Sequence, residues 1–410
     1  MKEVRVGIIG IGNMGSAHAV NIFDGKVQNM HLSAVCDTDP KKLEWAKENL
    51  EGVSLYQNYK EMYASGEIDA VVIATPHKLH PIMTIEAFKQ GLHVLTEKPA
   101  GVEISSVRKM NEAAKKSGKV FGIMYNQRTN PLFSKLKAMV EDGSLGEIKR
   151  MVWIITNWYR TQSYYDSGEW RATWDGEGGG VLLNQCPHNL DIWQWIMGIP
   201  VKVQAHCQYG RYHQIAVEDD VTIWAEYENG ATASFITSTG EYPGTNRLEI
   251  SGTKGKVIIE NGALKWYAIE KDEREICVTE PENTSHEPVI YRELVPEEKE
   301  TAHLGILQNF TDAILEGKSL LAPGEEGIFG LSISNAAYLS DWTGQAVKLP
   351  MTKKAEALFD KLLKEHQLQE TEKKASLDKT AYGKKVKRPE GVNSLNCEKG
   401  IYEDRWSVRW

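Results

Sequence analysis

Across the first 125 residues, short apolar runs alternate with stretches that mix apolar and polar positions at helical spacing. The runs VRVGIIG (4–10), LSAVCD (32–37), AVVIAT (70–75), HVLTEKP (93–99) and VFGIMY (120–125) read as strands. Between them, MGSAHAVNIF, PKKLEWAKENL, HPIMTIEAFKQG and SSVRKMNEAAKKSG read as helices. Strands that are apolar on both faces and alternate with helices predict a parallel, doubly wound α/β sheet.

After residue 125 the rhythm changes. Residues 131–142 read as a helix, IKRMVWIITNW (148–158) as a strand and CPHNLDIWQWIMG (186–198) as a helix. Strand-like segments then succeed one another from residue 201 to residue 269, with ENG and TKG turns suited to antiparallel hairpins. This is the pattern of an α+β domain with an open, mainly antiparallel sheet flanked by helices. Residues 268–300, acidic and broken by prolines, predict a loop-bearing excursion, and helices near 301–316 and 324–343 close the domain. The expected division is 1–125, 126–350, and a C-terminal helix and extended arm over 351–410.

Composition narrows the class. The 410 residues suffice for two ordinary domains, and 41% apolar with 25% charged residues is normal globular usage. A net charge of −8 argues against a nucleic-acid binder. There is no apolar run of about 18 residues, so no membrane span is expected. A structural motif begins by Gly10, which leaves no room for a signal peptide. The five cysteines (Cys36, Cys186, Cys207, Cys277, Cys397) are scattered without a CxxC pair. A reduced, cytoplasmic protein with no disulfide framework and no metal site is the expectation.

The last 60 residues carry 14 Lys+Arg against 10 Asp+Glu, a local +4, so the first 350 carry −12. They end in Tyr402, Trp406 and Trp410. Such aromatics need a dry site, so this arm is expected to anchor on the protein or on a sister subunit.

GIIGIGNMG contains Gly10-x-Gly12-x-x-Gly15, after an apolar strand and opening a helix. Gly10 suits the tight turn, Gly12 the approach of a pyrophosphate and Gly15 close packing of helix on strand. The helix N-terminus at Asn13 and Met14 offers free N–H groups. Asp37, twenty-two residues after Gly15, ends the second strand where a ribose 2′-hydroxyl needs an acceptor. A carboxylate there repels a 2′-phosphate, so NAD is expected rather than NADP.

Further pieces complete a wider pattern: ATPHKLHP (74–81), TEKPAG (96–101), YNQRTNP (125–131) and GGGVLLNQCPHNLD (178–191). Together with the glycine fingerprint they resemble the Gfo/Idh/MocA oxidoreductases, over roughly residues 1–350 and in matching order. The resemblance implies a Rossmann domain followed by a substrate domain. It places Lys98 of the EKP motif at the nicotinamide and the substrate hydroxyl, its neighbour Glu97 at the cofactor, and His188 in proton transfer. The Thr75-Pro76 turn matches the family's loop over the cofactor, with His80 at a conventional histidine position. Asn126 and Arg128 fall where substrate is expected. The family's usual aspartate four residues before the histidine is here Asn184, which removes an ionisable group.

The residues can also be read directly. Oxidising a carbinol needs a hydride acceptor, a base for the hydroxyl proton and donors that fix the oxygen. Lys98 follows a strand's C-terminal end, where open α/β sheets bind ligands. Pro187 suits a helix's first turn, so Asn184 and His188 are expected to face the mouth between domains, with Asn184 beside the acid–base group. Asp191, three residues on, either orients the imidazole or pairs within the helix. The Gly178-Gly179-Gly180 run permits close approach of backbone to a ligand. Cys186 reads as a packed residue.

Six of the twelve tryptophans lie between residues 153 and 195. Trp158, Tyr159, Arg160 and Trp174 are expected to contact a polyhydroxylated ring, whose C–H faces stack and whose hydroxyls hydrogen-bond. The function expected is hydride transfer between NAD and a secondary hydroxyl of a sugar, glycoside or cyclitol, in a homo-oligomer built through the open sheet and the arm. Cleavage of a glycosidic bond with retained NAD, or a non-catalytic ligand sensor, stays open at this level.

Overall fold

The computed structural model describes residues 2–297 and 299–379. The arm anticipated over 380–410, with Tyr402, Trp406 and Trp410, lies outside the described residues.

The first sheet has six strands: β1 (Val4–Ile9), β2 (Met30–Cys36), β3 (Ser54–Tyr56), β4 (Ala70–Ile73), β5 (His93–Thr96) and β6 (Phe121–Ile123). Their order is β3-β2-β1-β4-β5-β6, and every ladder is parallel. The chain starts at the centre, works outward and then returns to the other side of β1. The order therefore reverses between β1 and β4, and the C-terminal ends of these strands open a crevice there. All four residues of β4 are buried, as the unbroken apolar run requires. The three-residue β3 and the helix Tyr59–Ala64 are additions that the apolar pattern does not signal.

The second sheet has nine strands: β7 (Ile148–Ile155), β8 (Lys202–Tyr209), β9 (Glu218–Glu226), β10 (Thr232–Ser238), β11 (Asn246–Gly252), β12 (Gly255–Glu260), β13 (Ala263–Ala268), β14 (Ile290–Leu294) and β15 (Val347–Lys348). Their order is β14-β13-β12-β11-β7-β10-β9-β8-β15. Only the β7–β10 pairing at the centre is parallel. Asn261 and Gly262, both at positive φ, turn β12 into β13. The acidic excursion supplies more than a loop. It contains the helix Glu273–Thr279 and the edge strand β14.

Helices Pro187–Met197 and Gly327–Thr343 pack together, and the second also lies along β8. The C-terminal helix runs over Lys353–Lys379. Among the described residues no helix is long and apolar enough to cross a membrane.

Candidate active site

The glycine turn after β1 is built as its sequence requires. Gly10 has φ +81, and a Cβ there would lie 2.5 Å from the Ala74 carbonyl oxygen. A Cβ on Gly15 would lie 1.8 Å from the Gly10 carbonyl oxygen. At Gly12, by contrast, a Cβ would meet nothing within 4 Å, so the backbone there faces open space. Gly12 is also the N-cap of helix Asn13–Phe23, and no side chain caps that end. Unengaged N–H groups beside open space fit a pyrophosphate.

Asp37 stands just past β2. Its two carboxylate oxygens accept from the backbone N–H groups of Ile11 and Asp39, each at 2.9 Å. It therefore ties the glycine turn to the second strand and keeps lone pairs for a ribose hydroxyl. Asn13 and Pro76 are exposed, and Met14 and Thr75 half-buried, around the ends of β1 and β4.

Two of the expected cofactor residues have other partners. His80 is fully buried, and its ring nitrogens meet the carbonyl oxygens of Thr75 at 2.7 Å and Pro99 at 2.8 Å. It stitches the β4 and β5 end loops together rather than reaching a ligand. Glu97 is also buried, with His18 of the glycine-motif helix at 2.8 Å and the Lys98 N–H at 3.1 Å. Burial raises its carboxyl pKa, but His18 and neighbouring cations prevail and hold it near about 2. His303, from helix Ala302–Glu316, adds a ring 5.5 Å from His18.

Lys98 and Asn184 meet across the two domains. Lys98 Nζ donates to the Asn184 carbonyl at 2.8 Å. Burial lowers the lysine pKa, and the carboxylates of Glu97 and Glu177 oppose that shift. His188 sits in the first turn of Pro187–Met197. Its Nδ1 is buried and has no hydrogen-bond partner among the described residues. Burial, then the Lys98 cation, pushes the imidazole well below its ordinary pKa, so it is neutral. Lys98, Asn184 and His188 are all half-buried amid buried neighbours, as groups lining a cleft are.

The triple glycine does not floor the ligand. A Cβ on Gly178 would strike Val102 at 2.4 Å, on Gly179 the Tyr338 hydroxyl at 2.2 Å, and on Gly180 the Glu218 carbonyl oxygen at 2.0 Å. The run is small because protein packs against it. Glu218, fully buried, accepts from the Gly180 and Leu182 N–H groups and from the Tyr338 hydroxyl. That clamp fixes the turn that carries Asn184.

Arg128 and Trp174 also leave the expected substrate set. The Arg128 guanidinium is buried, gripping both Asp191 oxygens at 2.8 and 2.6 Å and reaching Glu326 at 2.6 Å. Asp191 thus pairs with Arg128 and Gln194 and does not orient His188. The Trp174 ring is buried against Tyr338, Trp342 and His366, with Nε1 on the Ala216 carbonyl. Its backbone is held by the C-terminal helix, through Glu370 and Gln367. Cys186 is buried and bonded to Thr237, a packed residue as expected.

Trp158 and Arg160 stand in a stack of rings and guanidinium groups. The Arg160 guanidinium lies over the rings of Trp158 and Tyr164, and Arg171 over those of Tyr164 and Trp170. The result is a ladder of aromatic and guanidinium planes. Tyr159 is exposed beside Tyr242. Several buried polar atoms lack partners among the described residues: Asn126 Oδ1, Asn157 Oδ1 and Arg160 Nε. Buried polar atoms normally find partners, so these await ligand or water.

Glu177, Tyr164 and His77 escape a reading of the sequence. Glu177, buried in the loop before the glycines, accepts from the Asn184 side chain and from Ala172 N–H at 2.8 Å. Tyr164 and Arg171 extend that network, since Arg171 donates to the Tyr164 hydroxyl at 2.8 Å. His77 bonds the Glu177 carbonyl at 2.9 Å. The missing carboxylate at position 184 was the one available hint that another lies near; nothing in spacing singles out Glu177 over Asp175.

A dinucleotide turn facing a cleft with an amine and a neutral imidazole defines an NAD-binding oxidoreductase. Residues 4–125 match the oxidoreductase family with an NAD-binding Rossmann fold, and residues 133–258 match the GFO/IDH/MocA C-terminal domain. The chain belongs to the Gfo/Idh/MocA family of oxidoreductases. It is 25% identical to a myo-inositol 2-dehydrogenase of Thermotoga maritima, over 84% of this chain and 98% of that protein. It is 23% identical to a scyllo-inositol 2-dehydrogenase (NAD(+)) of Bacillus subtilis, over 85% and 96%. The WlbA dehydrogenase of Bordetella pertussis, solved with NADH and UDP-GlcNAcA, superimposes with a TM-score of 0.72 at 25% identity, over 85% of this chain and all of that one.

Proposed function

We propose that the protein is an NAD-dependent dehydrogenase acting on a secondary hydroxyl of a sugar, glycoside or cyclitol. The observation that carries this is the contact of Lys98 with Asn184 at 2.8 Å, which sets an amine from the cofactor domain against the turn that leads into the His188 helix. Bound NAD would be held by Gly10, Gly12, Asn13, Met14, Gly15, Asp37, Thr75 and Pro76, and supplies hydride acceptance at nicotinamide. The chain's own residues deal with the proton. Lys98 donates a hydrogen bond to the carbinol oxygen, and neutral His188 accepts the proton that leaves it.

The aromatic and guanidinium ladder supports a ring-shaped substrate, and the unpartnered atoms of Asn126, Asn157 and Arg160 support one rich in hydroxyls. A hydroxyl both donates and accepts, so one kind of ligand group serves all three. The inositol dehydrogenases among the relatives fit the same class. We also place the protein in the cytoplasm as a homo-oligomer. The three buried thiols Cys36, Cys186 and Cys207 support a reducing setting, and exposed Tyr291 and Leu294 on β14 support a subunit contact.

A panel of sugars, glycosides and cyclitols scored by NADH absorbance tests the activity. Formation of NADH with at least one member is expected. Product without net NADH would replace this reading with cleavage through a retained cofactor, and neither product nor NADH would leave a ligand sensor. Light scattering tests the assembly, for which a single-chain mass would be the contrary result.

A further inference from the structure

Asn184 is held at both ends. Its carbonyl receives Lys98, and its side-chain amide donates to Glu177 and, at 3.4 Å, to the Tyr164 hydroxyl. Its Oδ1 has no hydrogen-bond partner among the described residues, and the residue is half-buried. An ionised carboxylate only accepts, so it forces the amide NH2 toward itself and leaves Oδ1 for the cleft. A protonated carboxyl can donate, and then the amide can turn over, with Oδ1 on Glu177 and Nδ2 toward the cleft.

We propose that Glu177 is a positioning residue that sets the direction of the Asn184 amide, offering substrate an acceptor when ionised and a donor when protonated. An acceptor suits the hydroxyl of an alcohol substrate, and a donor suits the carbonyl of a ketone. Glu177 thereby restores an ionisable group to a site whose usual aspartate is Asn184. The kinetic part of this inference rests on the dehydrogenase reading, and the spectroscopic part does not.

The surroundings make both states accessible. Glu177 is 1% exposed, and burial pushes its carboxyl up to about 7 against the opposing pull of Ala172 N–H and Arg171. Arg171 Nη1 stands 4.0 Å away on the same loop. Lys98 faces it from the end of β5, Tyr164 from the short helix Gln162–Tyr165, and His77 through the Glu177 carbonyl. The His77 imidazole is neutral, lowered to about 3 by burial, so it adds no charge near neutral pH. Ala172 has φ +50, a conformation a non-glycine residue rarely adopts, and its N–H is thereby aimed at Glu177 Oε2.

The test uses the full chain with NAD, labelled with 13C at glutamate carboxyls and 15N at asparagine side chains, as wild type, Glu177→Gln and Glu177→Asp. Asn184→Asp identifies the Asn184 resonance by deleting it. In wild type the Asn184 amide signal should shift in one step, at the midpoint of a glutamate near about 7. Glu177→Gln should abolish the step and Glu177→Asp restore it, with NADH affinity within about twofold throughout. With a substrate from the panel, wild-type kcat/KM for alcohol oxidation should fall about tenfold per pH unit below that midpoint, and in Glu177→Gln stay within about twofold from pH 6 to 8. An Asn184 signal without a step, or an acidic limb that persists in Glu177→Gln, overturns the proposal. Should Glu177→Gln fail to fold, the wild-type titration alone decides. If no panel member reacts, the dehydrogenase reading fails while the amide signal still judges Glu177.

Discussion

Lys98 Nζ donates to the backbone carbonyl of Asn184 at 2.8 Å, joining the end of a Rossmann strand to the turn before the His188 helix. The bond holds the amine in the cleft through a backbone atom that no side-chain substitution at 184 removes. Burial meanwhile lowers the lysine pKa and makes its proton easier to share.

Lys98→Ala should therefore lower turnover by about 10²-fold or more, the usual scale for a positioned proton-transfer group. NADH affinity should change little, because the pyrophosphate turn and Asp37 are untouched. Steady-state kinetics alongside fluorescence titration check this, and near-normal turnover would remove Lys98 from the chemistry.

Asn184→Asp sets a second carboxyl against Glu177. Two carboxyls in contact cannot both ionise cheaply, so the pair keeps a proton to higher pH. The acidic limb of kcat/KM should move to higher pH, by about one unit for each 1.4 kcal/mol of repulsion. The sequence pointed to His188 as the partner of residue 184; the structure puts Glu177 there instead. A limb that stays in place would show that residues 177 and 184 do not titrate together.

Asp37→Ala removes the anchor for the Ile11 N–H as well as the ribose acceptor. NAD affinity should drop and the preference for NAD over NADP should shrink, since phosphate is no longer repelled. Kinetics with both cofactors check the ratio. Discrimination equal to wild type would place the 2′-hydroxyl elsewhere.

Arg128→Ala should cost about 3–5 kcal/mol of stability, because it leaves the Asp191 carboxyl buried without its counter-ion. Burial would lower the Arg128 pKa, but Asp191 and Glu326 raise it, so the guanidinium stays charged throughout. Urea denaturation measures the loss, and Arg128→Met combined with Asp191→Leu should recover part of it. Unchanged stability with a raised KM would return Arg128 to the substrate.

What the sequence determined by itself was local in origin. The parallel sheet follows from apolar runs alternating with helices, and the NAD site from three glycines and Asp37, whose spacing is set by one turn and one βαβ unit. Lys98 and His188 were legible because each belongs to a short motif. Tertiary structure decided the rest, because packing and pairing across distant segments leave no periodic mark. Arg128 looked like a substrate contact until Asp191, sixty-three residues away, neutralised it in the core. The triple glycine looked like a ligand floor until Val102, Tyr338 and Glu218 filled the space beside it. His80 and Glu97 turned inward because their partners, Pro99 and His18, come from other loops and helices. Glu177 became the neighbour of Asn184 only through the fold of its loop, in which burial, not residue type, makes its carboxyl titrate near neutrality.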